Sequence, residues 1–284
     1  MISVAMTTYN GARFVESQLL SILHQTQQVD EIIICDDVSR DDTVEIINRI
    51  VDQTGVKHVS LIQNKKNLGY VDNFYKAIGL THGDYIFLAD QDDIWHSDKI
   101  EKSMKVMKET NAAAICTKSR LIDGMGNPLP DGHFIISVLL SQMTERLRRV
   151  SFFDLVIENV AQGCTYCFTK EVKERYLRVN SANLIHDHQI LFVASLTGAV
   201  YAYNEALIDY RIHGNNSAGL QKVDKNLKVR WKKPDKKPVR VRFLEDLGSS
   251  MHVPHLTWYK LMYYLRLPYF ISVFRRRRQA IKNG

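Results

Sequence analysis

Through the first 118 residues, short apolar runs alternate with stretches of helical period. Ile2 to Met6, Glu31 to Cys35, Val59 to Gln63, Tyr85 to Ala89 and Ala112 to Thr117 are rich in β-formers and bounded by polar turns, so each predicts a strand. Between them, apolar positions recur every three or four residues. Val15, Leu19 and Leu23 mark a helix over Ala12 to Gln25, and Val44, Ile47 and Val51 mark one over Asp42 to Asp52. Ser39 and Asp42 have the spacing of a capping box, an acidic third residue standing in for Glu or Gln. A further helix is expected after Gly69 and another from Ser97 to about Thr110. Such alternation predicts an α/β fold with a mostly parallel central sheet flanked by helices.

Beyond Leu121 the rhythm loosens. Turn chemistry at Gly124 to Gly126, Pro128 and Pro130 leads to an amphipathic stretch from Leu139 to Val150. Residues 163–169 are strand-like, His188 to Thr197 is helical, and Ala199 to Arg211 alternates as a strand. The chain therefore divides into an α/β half (1–118), a second half (119–220) and a tail (221–284).

Charge separates the tail from the rest. Of the 284 residues, 221–284 hold seventeen Lys and Arg against four Asp and Glu, a net +13, which leaves 1–220 at −6 of the overall +7. An acidic body excludes a nucleic-acid groove and makes the tail the part suited to an anionic surface. Ten of the tail's basic residues lie in 222–242, and an aromatic stretch over 256–274 precedes Arg275 to Arg278. Lys260, Arg266 and Pro268 interrupt that stretch, whereas a spanning helix needs about 20 nearly uncharged residues. An amphipathic element lying on the membrane, with Trp258, Tyr259, Tyr263, Tyr264 and Tyr269 at headgroup depth, is the expectation. The alternatives are a tail packed on its own domain or one that forms a homodimer.

Cys35 and Cys116 lie in strand-like runs, and Cys164 and Cys167 form a CxxC with no second pair to complete a zinc site. A reducing, cytoplasmic setting suits them. The opening Ile2 to Met6 reads as a strand rather than as a secretory leader.

In parallel βα units, ligands bind at the carboxyl ends of the strands, and three polar clusters fall there: Thr7 to Asn10, Asp36 with Asp37, and Asp90 to Asp93. Carboxylates at alternate positions suit Mg²⁺ or Mn²⁺ bound together with a substrate diphosphate; an acidic turn capping the next helix explains them equally well. Ile94 and Trp95 exclude an EF-hand loop, and neither GxGxxG nor GxxxxGK[ST] occurs.

The opening TTYNG, Gln25 with Thr26, IIICDDVSRDDT (32–43), NLGYVDNF (67–74), GDYIFLADQDDIW (83–95), IHDHQ (185–189) and YRIHGNN (210–216) form an ordered series. In it the chain resembles glycosyltransferase family 2, of GT-A fold, and within that family the bacterial rhamnosyltransferases of cell-surface polysaccharide synthesis. The resemblance implies a nucleotide-sugar-binding half (1–118), an acceptor-binding and catalytic-base half (119–220), and a basic amphipathic C-terminal tail that associates with membrane or oligomerises.

It further implies that Thr7, Tyr9 and Asp37 hold the nucleoside, Asp37 accepting the imide N–H of uracil or thymine, with Asn67, Asn73, Asp90, Gln91 and Arg211 supporting the nucleotide. Asp90 and Asp92, joined by His213, would hold Mg²⁺ or Mn²⁺. Asp187 matches the family's general base; capping the helix near His188 is a second role open to it. The implied reaction is inverting transfer of a sugar, best taken as L-rhamnose from dTDP-rhamnose with a UDP-hexose as the alternative donor, to a hydroxyl of a saccharide that is expected to be lipid-linked. The implied location is the cytoplasm, peripherally on the inner face of the plasma membrane. Readings of another class are a sugar nucleotidyltransferase and a non-catalytic carbohydrate-binding module.

Overall fold

The computed structural model describes residues 1–130, 137–179, 181–214 and 239–265. The expected strands form as β1 (Ile2–Thr8), β2 (Glu31–Asp36), β3 (Val59–Gln63), β4 (Tyr85–Ala89) and β6 (Ala114–Asp123), with a two-residue β5 (Ile94–Trp95) after the acidic cluster. The helices between them are α1 (Val15–Leu23), α2 (Thr43–Thr54), α3 (Tyr70–Leu80) and α4 (Lys99–Thr110). The second half adds α5 (Val138–Ser141), β7 (Leu147–Val150), α6 (Phe152–Ile157), β8 (Tyr166–Thr169), α7 (Lys170–Tyr176), α8 (His186–Thr197) and β9 (Val200–Ile212). The tail contributes α9 (Val239–Ser250) and α10 (Leu256–Leu265).

One sheet runs β3-β2-β1-β4-β8-β6-β9-β5, with β7 also paired to β9. The first four strands in that order are parallel, β8 is antiparallel to both β4 and β6, and β6 and β9 are again parallel. Every residue of β1 is buried, as expected of a central strand covered on both faces. Its side chains alternate between two apolar layers: Val4 and Met6 face Leu19, Ile47, Ile50 and Met104, whereas Ala5 shares a cluster with Phe74, Ile78, Phe192 and Phe243.

Three local expectations give way. The Ser39 and Asp42 capping box does not form: Ser39 instead donates its N–H and Oγ–H to the Asp36 carboxylate, and Asp42 at the start of α2 makes no side-chain cap. Asp41 does the work there, accepting the N–H groups of Thr43 and of Ala12. The amphipathic stretch from Leu139 to Val150 is not one element, because α5 stops after four residues and Leu147–Val150 pairs antiparallel with β9. β6 also runs six residues past Thr117, because β9 gives it a parallel partner as far as Asp123.

The tail is in part a piece of the core. Val241, Phe243, Leu244 and Leu247 of α9 are 0–2% exposed, and Phe243 packs on Phe192 of α8 with ring centres 5.4 Å apart. Arg240 donates to the carbonyls of Val156 and Ile157 at the end of α6, and Asp246 accepts from Ser181 and Asn183 just before α8. Most of the basic run at 222–242, and all of Arg275 to Arg278, lie outside the described residues.

One backbone position is strained. Val38, between the second strand's polar cluster and α2, has φ +68°, a left-handed conformation in which a β-branched side chain crowds the following carbonyl. Val38→Gly removes that crowding and is expected to stabilise the protein by about 1 kcal/mol, read as a raised denaturation midpoint. A lowered midpoint would show that Val38 packing outweighs the strain.

Candidate active site

All three polar clusters meet at the carboxyl edge of the parallel strands, joined by the ends of β9 and the start of α8. At the end of β1, Tyr9 and Gln91 exchange two hydrogen bonds: the Tyr9 N–H donates to Gln91 Oε1 (2.8 Å), and Gln91 Nε2 donates to the Tyr9 carbonyl (3.0 Å). Gly11 permits this, since a Cβ there would lie 2.2 Å from Gln91 Oε1. Thr7 is buried on β1, while the Tyr9 ring is 48% exposed beside it.

Asp37 is almost wholly buried. Its carboxylate accepts from Asn64 Nδ2 (2.8 Å) and from the N–H groups of Leu68 (2.7 Å) and Gly69 (2.8 Å). Asn67 Nδ2 donates to the Asp37 carbonyl, Asn73 Nδ2 donates to the Cys35 carbonyl, and Asn64 Nδ2 also donates to Asn73 Oδ1. The Asp37, Asn67 and Asn73 cluster thus holds the 64–69 loop against the end of β2. About four acceptor positions exist on a carboxylate, so one remains on Asp37.

The acidic cluster sits between β4 and β5. Pairing of β5 with β9 (Ile94 opposite Asp209) brings Arg211 and His213 alongside it. His213 Nε2 lies 2.7 Å from Asp92 Oδ2, Arg211 Nε donates to the Asp92 carbonyl (2.7 Å), and the Arg211 N–H donates to Asp93 Oδ1 (3.1 Å). Phe14 backs both, its ring 4.9 Å from that of His213 and 4.8 Å from the Arg211 guanidinium. Burial, and then the neighbouring carboxylates of Asp93, Asp92 and Asp187, hold Asp90 well above the usual carboxylate range. Asp93 is pushed up to about 7 by burial and by Asp92.

This crowding is where a divalent cation fits. Asp93 Oδ2 is buried with no hydrogen-bond partner among the described residues, and ligand atoms of Asp90, Asp93 and Cys164 all lie within 4.8 Å of one another. Mutually repelling buried carboxylates and an orphaned oxygen are relieved by positive charge. Cys164 does not revive the CxxC as a zinc site. Both it and Cys167 are buried free thiols, and burial pushes Cys164 well up, so that it stays an S–H beside Asp90 and Asp93. Buried Lys99, whose ammonium lies 3.9 Å over the Trp95 ring and donates to the Cys164 carbonyl (2.6 Å), supplies a fixed cation nearby.

Asp187 lies in the first turn of α8. The helix cap is Ile185, which makes no side-chain cap bond, so α8 starts two residues earlier than the His188 expected and Asp187 is not its cap. Its carboxylate accepts from the His188 N–H (2.5 Å) and Asn159 Nδ2 (3.2 Å), and burial pushes it up to about 6. The 3-10 turn Gly163–Thr165 runs directly against it: a Cβ on Gly163 would lie 3.0 Å from Asp187 Cβ. His186 stacks on Phe74 (4.2 Å), and His188 bonds the Leu155 carbonyl.

Thr7, Tyr9, Asp37, Asp90, Gln91, Asp92, Asp187, Arg211 and His213 therefore gather around one sheet edge, and the last residues of the YRIHGNN motif, 215 and 216, lie outside the described residues. Sequence reasoning missed Phe14, Lys99, Asn159 and Gly163, and weighed Cys164 only as half of a CxxC. The pair Gly163-Cys164 was the available signal: a glycine ahead of a strand marks a close backbone approach.

Comparison with known proteins gives the family and the fold. The profile described as Glycosyl transferase family 2 matches residues 3–169. The dTDP-rhamnosyl transferase RfbG of Shigella flexneri is 30% identical over 226 residues, covering 75% of this chain and 73% of that protein. The putative teichuronic acid biosynthesis glycosyltransferase TuaG of Bacillus subtilis (strain 168) is 26% identical, covering 93% and 94%. Among solved structures, S. aureus TarS 1-349 in complex with UDP-GlcNAc superposes with a TM-score of 0.60 at 16% identity, over 76% of this chain and 59% of that one. At that identity the likeness bears on the fold alone.

Proposed function

The chain belongs to glycosyltransferase family 2 and is a glycosyltransferase of GT-A fold, and from that premise we propose that it transfers L-rhamnose from dTDP-rhamnose, with inversion, to a hydroxyl of a lipid-linked saccharide in surface polysaccharide assembly. What supports the inverting transfer is the placement of Asp187 beside the Asp90 to Asp93 cluster, close enough that its charge raises Asp90, and what supports the donor is the 30% identity to the dTDP-rhamnosyl transferase RfbG. A base and a leaving-group site then stand side by side. Family membership sets aside the nucleotidyltransferase and binding-module readings.

In the proposed reaction the acceptor hydroxyl gives its proton to Asp187 as its oxygen bonds to the anomeric carbon. The bond from that carbon to the diphosphate oxygen breaks on the opposite side, which inverts the centre. Asn159 and the His188 N–H orient the carboxylate. Asp90 and Asp93, whose ligand atoms lie together beside the Cys164 thiol, with Asp92 and the His213 that engages its carboxylate next to them, would hold Mg²⁺ or Mn²⁺, which supplies positive charge for the departing diphosphate. Arg211, fixed over Phe14, adds a second cation there. The remaining acceptor position on Asp37 takes the base's imide N–H, and the exposed Tyr9 ring covers the nucleoside.

For the tail, the reading is peripheral attachment to the inner face of the plasma membrane. Trp258 and Leu261 of α10 are 48% and 54% exposed, and Arg275 to Arg278 follow in the sequence. No helix among the described residues is long and apolar enough to cross a membrane.

A panel of nucleotide sugars with Mg²⁺ or Mn²⁺, read as nucleoside diphosphate release, tests the donor. Preferred release of dTDP from dTDP-rhamnose is expected. Release of UDP alone would move the donor to a UDP-hexose, and release from none would overturn the activity.

A further inference from the structure

Beside Asp187 lie polar atoms that the reaction just described does not use. His186 is 7% exposed and its Nδ1 has no hydrogen-bond partner among the described residues; the side-chain Nε2 and Oε1 of Gln162 are both shut from water and unpartnered as well. A dry polar atom left unpaired is destabilising, so three in adjoining segments call for a partner. The segments do adjoin. Asn159 donates to Asp187, and a Cβ on Gly163, the residue after Gln162, would lie 3.0 Å from Asp187 Cβ and 3.4 Å from His186 Nε2.

The His186 ring is held rigidly, stacked on Phe74 at 4.2 Å with 19° between planes. Tyr70, the first residue of α3, meets it edge-on at 6.2 Å. Phe74 is buried, but Tyr70 is 43% exposed and offers an open aromatic face at the rim.

We propose that Tyr70, Gln162 and His186 form an acceptor subsite that seats a neutral saccharide over Asp187, pairing with hydroxyls next to the one that is deprotonated. A hydroxyl both donates and accepts, as Gln162 does through its two amide atoms, and the aromatic ring suits the apolar C–H face of a pyranose. Burial holds His186 at about 3, so its ring is neutral at working pH, and the trio carries no charge. The Asp187 carboxylate, ionised above about pH 6, repels an anion, which separates this subsite from the diphosphate end. The proposal rests on Asp187 as the acceptor-side base.

The test uses the full chain with dTDP or UDP and Mn²⁺, and reads saturation-transfer NMR from methyl α-L-rhamnoside, methyl α-D-glucoside and methyl β-D-galactoside. The wild type is expected to saturate at least one glycoside, and Gln162→Leu and Tyr70→Ala to reduce that signal severalfold while the nucleotide signal stays unchanged. Gln162→Leu is also expected to melt no lower than the wild type, because it removes two unpaired polar atoms from a dry site. Unchanged glycoside signals in both variants, or none from the wild type, would overturn the subsite. So would a parallel loss of nucleotide signal, which would place the trio on the donor. A failed donor reading shows separately, as absence of any nucleotide signal in the wild type.

Discussion

Asp187→Asn is expected to lower transfer roughly 10²- to 10⁴-fold while nucleotide affinity stays near wild type, the range that removal of a general base commands. The amide keeps an acceptor for the His188 N–H and keeps the shape that Gly163 closes upon. What it loses is the ability to take a proton. The same burial that makes Asp187 a base at neutral pH works against the fold. Its folded-state value of about 6 stands above the ordinary 3.8, so the native state binds this proton more tightly than the unfolded state does. The carboxylate's cost is therefore absent below about pH 4, grows between 4 and 6, and is complete above 6, where a shift of this size corresponds to about 3 kcal/mol. Asp187→Asn is accordingly expected to melt at or above the wild-type temperature at pH 7.5. In the wild type, kcat/KM is expected to fall tenfold per unit below about pH 6. Near-normal turnover of the variant, or an acid limb near pH 4, would remove Asp187 from the chemistry.

The parallel half of the fold was legible because each of its strands is a short apolar run covered on both faces, a local signal that needs no partner to be read. β3 and β4 have the bounds expected of them, and the polar ends of β1, β2 and β4 met as the strand-end rule requires. The second half was harder to read. β7 is a strand only because β9 offers an edge to Leu147–Val150, and β6 continues to Asp123 for the same reason; pairing across fifty or more residues leaves little trace in a local pattern. The site divides similarly. Asp37, Asp90, Asp92 and Asp187 stood out as carboxylates in motifs, whereas Lys99 is a lysine in a helix that reads as solvated until its ammonium is found under Trp95. Gly163 and Asn159 are missed for another reason. Gly163 matters for how closely its backbone approaches Asp187, of which a glycine ahead of a strand was the one trace, and Asn159 for a side-chain bond to a residue 28 positions away, of which there was none.

Ending the chain before Val239 is expected to abolish folding, whereas ending it after Leu265 is expected to leave the fold and remove only affinity for anionic membranes. Charge alone suggested one continuous appendage from residue 221, but α9 and the Arg275 to Arg278 run belong to different physical problems. Val241, Phe243, Leu244 and Leu247 are buried against the layer that includes Phe192 of α8, and burial of each is worth about 1.5–3 kcal/mol, so losing all four approaches the 5–15 kcal/mol net stability of a typical domain. Asp246 also fixes Ser181 and Asn183, and Arg240 fixes the end of α6, so the lost helix is a wall of the segment that leads into Asp187. Phe243→Ala, a smaller cut at the same place, is expected to cost about 3–5 kcal/mol in a denaturation experiment. The two truncations are compared by melting temperature and by sedimentation with vesicles of phosphatidylglycerol. A chain of residues 1–238 that is folded and active would refute the core role of α9. Undiminished sedimentation of residues 1–265 would instead move membrane attachment from the arginine run to the exposed face of α10, where Trp258 packs 5.6 Å from Phe153.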